Sequence, residues 1–192
     1  MGPTGVGKTD LMIELYSQFP IKIIGVDSVQ IYKHLNIGSG KPSSKLLQKY
    51  PHDLVDIIEP TENYSTARFQ EDVIKSIKDS FEEERIPILV GGTMMYFHHL
   101  VEGISKLPKV SEAIRAQVES EFEREGSQKM HDYLKTIDSK SSTKIHFNDS
   151  QRIKRAIEVY RFTGQELSKW QEEKKKEVSE IITKSNLKQI AL

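Results

Sequence analysis

Residues Gly2-Pro3-Thr4-Gly5-Val6-Gly7-Lys8-Thr9, at the very start of the chain, satisfy G-x-x-x-x-G-K-[ST]. No other feature restricts the fold so tightly. Glycines let consecutive backbone N–H groups turn toward one anion, and the helix that follows adds its positive end. In such a P-loop the lysine, here Lys8, reaches the outer phosphates, and the hydroxyl of Thr9 faces Mg²⁺. The competing reading is a Gly-rich turn that holds no ligand. A P-loop also requires a strand feeding in and a helix leaving. The helix has its residues, but only Met1 stands where the strand belongs.

Composition narrows the options. At 192 residues the chain is one domain, or one domain with a sizeable insertion. Lys plus Arg and Asp plus Glu both total 28, so no whole-protein basic field exists and a nucleic-acid partner needs a local patch. Positive charge does gather late: residues 151–192 hold ten Lys/Arg against six Asp/Glu. With no cysteine, disulfides, thiolate metal sites and a cysteine nucleophile are excluded. The first residues carry no apolar leader and no run approaches membrane-spanning length, so the expectation is a cytoplasmic protein.

Along the chain, Leu11, Met12, Leu15 and Phe19 recur at helical spacing and predict a helix over 9–19. Three apolar runs suit buried parallel strands: 21–26, 54–58 and 86–90. Between the last two, Phe69, Val73, Ile77 and Phe81 predict a helix over 66–84, with Ser65 as its cap. Strands alternating with helices around a P-loop imply a three-layer α/β/α fold with a parallel sheet, of the P-loop NTPase type. Beyond 107 no strand is expected. Helices are predicted over 111–125, ending at Gly126, over 127–136 and over 150–162, with 138–144 a polar loop and the mixed-charge run 171–177 a solvated helix or linker.

Three further motifs carry chemistry. Asp27, in Val26-Asp27-Ser28-Val29-Gln30-Ile31-Tyr32, follows an apolar strand and so lies at the carboxyl edge of the sheet, where open α/β folds bind ligands. It is read as a metal-shell carboxylate, a general base, or a turn cap. Gly91-Gly92-Thr93 ends another strand. The glycines permit close backbone approach, and Thr93 is read first as a helix cap, while Met94, Met95, Tyr96 and Phe97 are read as packing. In Asn148-Asp149-Ser150-Gln151-Arg152-Ile153-Lys154-Arg155, either of the first two residues can cap a helix whose Ile153, Ala156, Ile157 and Tyr160 form an apolar stripe. Arg152 and Arg155, three apart, share a face that either grips phosphates or is merely solvated.

Taken in order, GPTGVGKT, DSVQIYKHLNIGSGKP, PHDLVDIIEPTENYS, IPILVGGTMMYF and IHFNDSQRIKRAIEVYRFTGQELS resemble the tRNA dimethylallyltransferases, over nearly the whole stretch 2–168. The resemblance implies transfer of a dimethylallyl group from dimethylallyl diphosphate to N6 of adenosine 37, in the anticodon loop of tRNA. It assigns Gly2 to Thr9 to the donor diphosphate, with Lys8, Thr9 and Mg²⁺ neutralising the leaving group. Asp27 becomes the base, and Ser28, Val29, Gln30 and Thr93 nucleotide contacts. Gln151, Arg152, Ile153, Lys154 and Arg155 become the tRNA grip. It further implies a P-loop core over 1–105, a helical tRNA-binding insertion over 106–170, and a charged segment over 171–192 returning toward the core. A monomer is expected.

The resemblance also implies a strand before Gly2 and helices after Leu192. A central strand buries three or four aliphatic side chains, roughly 5–10 kcal/mol of stabilisation, comparable with the whole net stability of a domain. The expectation is therefore a fragment that lacks its first strand and unfolds easily. Three rivals remain: a P-loop small-molecule kinase, an adenylate prenyltransferase (disfavoured by the tRNA-type insertion), and an inactive RNA-binding fragment.

Overall fold

The computed structural model describes residues 2, 5–103, 107–173, 188 and 190. Pro3, Thr4 and nearly all of 174–192, with the expectations placed on them, lie outside these. The described residues form two compact units, the first comprising those up to Gly103 together with Lys188 and Ile190, and the second comprising 107–173.

In the first unit the loop passes straight into α1 (Lys8–Gln18), followed by β1 (Ile21–Val26), α2 (Ser44–Lys49), β2 (His52–Asp53), α3 (Thr66–Glu82), β3 (Ile86–Gly91) and α4 (Met94–Glu102). The sheet is parallel in the order β2-β1-β3. Period-2 alternation explains the layers. On one face Ile21 and Ile23 pack with Met12 of α1, and on the other Ile24 and Val26 pack with Phe69, Val73 and Ile77 of α3 and Tyr96 and Leu100 of α4. The strand β1, buried on both sides, is thus the spine of a three-layer α/β fold. It is paired on both edges, and β1 and β3 run together without a gap from Ile21↔Ile86 to Val26↔Gly91.

Two expectations need correcting here. Residues 54–58 are not a strand. Pairing with β1 stops at Asp53, because Leu54 and Asp56 take left-handed backbone conformations, φ 61° and 56°. The segment leaves the ladder and bonds to the 30–33 stretch instead: Asp56 N–H to Gln30 O at 3.1 Å, Ile57 N–H to Ile31 O at 2.9 Å. Its Leu54, Val55 and Ile58 are buried all the same. The helix α3 is capped by Ser65 as expected, its hydroxyl accepting from Arg68 N–H at 3.2 Å. Its fourth apolar residue, Phe81, is however 56% exposed. A four-residue repeat drifts about 40° per step around a helix of 3.6 residues per turn, so by the third step buried Ser80 has taken the inward place.

The second unit is helical: α5 (Glu112–Ile137), α6 (Ser139–Lys144), α7 (Ser150–Thr163) and α8 (Leu167–Glu173). Gly126, φ 80° and ψ 166°, breaks α5 where a stop was expected, so two helices meet at a kink. Among the described residues no strand occurs in this unit, and no helix is long and apolar enough to cross a membrane. Val118, Leu134, Ile153, Ile157 and Val159 make its core.

The polar run 138–144 is a helix rather than a loop. Asp138, 1% exposed, starts it by accepting from Ser141 N–H at 2.9 Å and Ser141 Oγ–H at 2.6 Å, and it also accepts Ser168 N–H of α8 at 2.9 Å. Burial alone raises a carboxyl pKa, but these hydrogen bonds outweigh it and hold Asp138 below the usual aspartate range. A depressed folded-state pKa means stability fully present above about pH 4 and lost as pH falls through the lower, folded value. Asp138→Ala, which orphans two buried N–H groups, is expected to cost roughly 3 kcal/mol at pH 7 and much less at pH 2. Urea denaturation of the helical signal at both pH values measures this; equal losses at both would contradict it.

Candidate active site

At the carboxyl end of β1 and β3 the first unit encloses a cavity of about 370 Å³, lined by the loop residues Gly5 and Gly7, by Lys8, Thr9 and Asp10 of α1, and by Asp27, Gln30, Gly91 and Gly92. Gly5 and Gly7 have φ of 83° and 88°. A Cβ at either would meet nothing within 4 Å, so it is the backbone conformation that calls for glycine there. Lys8 Nζ folds back to donate to Gly2 O at 2.8 Å. Val6 is exposed beside it.

Asp27 sits one residue past β1. Its Oδ1 accepts from Val29 N–H at 2.9 Å and Gln30 N–H at 3.2 Å. It therefore is a turn cap, but with one oxygen only; Oδ2 has no hydrogen-bond partner among the described residues. Ser28 and Val29 of that turn are exposed, and the Gln30 side-chain amide donates to Ser39 O at 3.2 Å. Thr93 corrects the capping expectation. It occupies the N-cap position of α4, yet its side chain makes no cap bond. Its Oγ1 instead accepts Ser28 N–H at 3.0 Å, tying the end of β3 to the Asp27 turn. Tyr96 packs as expected, stacked on Phe69 at 4.1 Å between centroids, whereas Met94 and Met95 are exposed.

The second-unit candidates are more scattered. Asp149 caps α7, accepting Arg152 N–H at 3.1 Å. The guanidinium of Arg152 is 75% exposed and lies 2.6 Å from the same carboxylate. Arg155 is drawn the other way, donating to Pro108 O at 3.3 Å and facing Glu158 at 3.5 Å. Lys154 is paired with Glu119 at 2.8 Å. The two arginines do not form one phosphate fork. Ile153 is fully buried, so within the QRIKR run its role is to seat the helix rather than to present a contact. Gln151 is exposed.

The family model for IPP transferase matches residues 30–192. The chain belongs to the IPP transferase family. Among solved structures, a tRNA delta(2)-isopentenylpyrophosphate transferase from Staphylococcus epidermidis is 35% identical, with 88% of this chain covering 55% of that one at a TM-score of 0.51. The full-length tRNA isopentenylpyrophosphate transferase of Bacillus halodurans is also 35% identical, over 85% of this chain and 55% of its own, TM-score 0.52. A eukaryotic dimethylallyltransferase acting on tRNA is 30% identical over 88% and 42%, TM-score 0.71. The chain thus spans about half the length of these relatives.

Within this IPP transferase cavity lie residues that periodicity does not single out: Asp10, Gly40, Pro42 and His52. His52 follows a proline at the start of a two-residue strand, too short to register as a pattern. Its Nδ1 is 2.6 Å from Tyr50 O, an acceptor, so Nδ1 carries the hydrogen. Burial lowers its pKa against the opposing effect of that bond, leaving a neutral ring whose Nε2 is an acceptor. The donor set also bears on a metal. No trio of His, Cys, Asp or Glu suited to a cation occurs among the described residues. Thr9, whose hydroxyl is of the kind that holds Mg²⁺ beside ligand phosphates, lies in the cavity wall beside Asp10.

Proposed function

We propose that this IPP transferase chain moves a dimethylallyl group from dimethylallyl diphosphate to N6 of adenosine 37 in the anticodon loop of tRNA, as a monomer in the cytoplasm. The observation that carries the reading is one cavity shared by a phosphate-cradling loop and a carboxylate with an unengaged oxygen. The backbone N–H groups of the loop and the ammonium of Lys8 hold the diphosphate and favour the charge it gains as the allylic C–O bond breaks. Thr9 would hold Mg²⁺, which would supply further positive charge to that leaving group.

The N6 lone pair is delocalised into adenine, so the amine is a weak nucleophile. It forms the new C–N bond as the allylic carbon becomes cationic, and Asp27 Oδ2 accepts the amine proton. To reach the cavity the adenine leaves its stack, as for other enzymes acting on a base. Ser28, Val29, Gln30 and Thr93 line its approach, and Gln151, Arg152, Lys154 and Arg155 bear on the tRNA backbone.

Incubation with dimethylallyl diphosphate, Mg²⁺ and unmodified tRNA tests the reading, by mass analysis of the anticodon-loop fragment. A dimethylallyl mass increment is expected, with pyrophosphate as competitor and negligible ATP hydrolysis. Robust ATP turnover with a simple alcohol acceptor would replace it by a kinase. Arg152→Ala is expected to weaken tRNA binding and to reduce the salt slope by about one, with the chemical step kept. Unchanged affinity and slope in a salt titration would make that face merely solvated.

A further inference from the structure

Lys41 belongs to no site described so far, yet its side chain is only 2% exposed within an irregular loop. An ammonium has three N–H donors. Those of Lys41 meet Tyr32 O at 2.6 Å, Asn36 Oδ1 at 3.3 Å and Asp56 Oδ1 at 2.5 Å. One acceptor comes from the start of the loop, one from its tip, and one from the segment that leaves β2. The neighbours on either side of Lys41, Gly40 and Pro42, line the cavity.

No regular element holds this stretch. It has no helix or ladder between Lys33 and Ser43, and Ile37 at its tip is 99% exposed. The other ties are polar too: Lys33 N–H to Ile58 O at 2.8 Å and Lys33 Nζ to Glu59 Oε1 at 2.9 Å at its start, His34 Nε2 at 3.6 Å from Glu59, Asn36 N–H to His34 O at 3.0 Å, Ser39 Oγ–H to Leu35 O at 2.6 Å, Lys41 N–H to Ser39 Oγ at 3.3 Å, and Gln30 Nε2–H to Ser39 O at 3.2 Å. Strain collects around the same clamp, since His34 (φ 65°) and Asp56 (φ 56°) are both left-handed. Asp56 in turn donates its N–H to Gln30 O at 3.1 Å. The ammonium therefore fixes Gln30 and the Gly40–Pro42 wall together, while the phosphate loop and α1 stand on separate elements.

We propose that Lys41 is a positioning residue for the acceptor nucleotide: its buried clamp holds the 30–42 wall of the cavity in the shape the base requires, without touching substrate. The role rests on the transfer reaction proposed above. Lys41→Met keeps the length of the side chain and removes all three donors. Amide hydrogen exchange, donor binding with Mg²⁺ and steady-state transfer are then compared with the unaltered chain. Exchange over 33–42 is expected to quicken at least about ten-fold while β1 and β3 amides hold their rates. The KM for tRNA should rise about 10- to 100-fold with donor affinity within about two-fold. Asp56→Asn, which keeps an acceptor oxygen but not the charge, should fall between.

Unchanged exchange and an unchanged tRNA KM would overturn the proposal. So would equal weakening of donor and tRNA together with a general loss of stability, the mark of an ordinary structural ion pair. An unaltered chain that transfers no prenyl group at all would overturn the reaction itself, and the positioning role with it. A donor-to-tRNA difference that fails to appear in an active enzyme overturns the role of Lys41 alone.

Discussion

Asp27→Asn is expected to lower prenyl transfer by about 10²–10⁴-fold while donor affinity stays within about two-fold. The substitution is informative because of how the two carboxylate oxygens are used. Oδ1 accepts the Val29 and Gln30 amides and shapes the turn. Asparagine can present its carbonyl oxygen to those same amides, so the turn and the Ser28–Thr93 tie survive. What it places at the other position is an NH₂ group, which donates and cannot take a proton. Single-turnover rates and donor titration with Mg²⁺ separate the outcomes. If donor binding collapses instead, Asp27 is a metal-shell carboxylate and the base lies elsewhere.

Gly91→Ala should cost the first unit about 3 kcal/mol or more, a loss few single substitutions reach. A Cβ built at Gly91 would stand 1.9 Å from Val26 O, 2.4 Å from its carbonyl carbon and 2.9 Å from its Cα. These are backbone atoms of the central strand and cannot swing aside. Relief requires the end of β3 to part from β1, which opens the Val26↔Gly91 step and the Thr93 N–H to Val26 O bond at 3.3 Å. Gly92 is the internal control. The nearest atom to its added Cβ is Gly2 O at 3.5 Å, an ordinary contact, so Gly92→Ala should cost under about 1 kcal/mol. Urea midpoints of the two variants decide it, and matching midpoints would refute the argument.

Much of this was legible in the residues. The strand over 21–26 announces itself because burial on both faces demands a run that is apolar but for Lys22, and the 86–91 strand shows a similar apolar run although only Gly91 of it is buried. Caps at Ser65 and Asp149 and the break at Gly126 are local chemistry, which short sequence windows carry well. The failures have a common cause. At 54–58 the apolar residues are buried by tertiary packing, while left-handed Leu54 and Asp56 end the ladder, and no period reveals that. The polar run 138–144 is helical because a buried carboxylate caps it and ties it to α8, a contact thirty residues away in the chain. The phosphate loop and Asp27 were readable as motifs. His52 and Lys41 were not, since their roles depend on a carbonyl at hydrogen-bond distance and on acceptors gathered from three stretches of backbone.

The tie between Ser28 and Thr93 joins residues 65 apart in the chain, and every step of the β1–β3 ladder spans the same separation. Closing a loop of that length costs about 4 kcal/mol of chain entropy before any contact rewards it. Helices form in about a microsecond, without such closure. During folding, therefore, α1, α3 and the helices of the second unit are free to appear well before the two strand ends meet. Asp27, Gly91 and Thr93 come together only at that late step. A partly folded chain rich in helix consequently lacks the wall of the cavity that holds Asp27, and closure of that wall marks the completion of the sheet rather than the onset of structure.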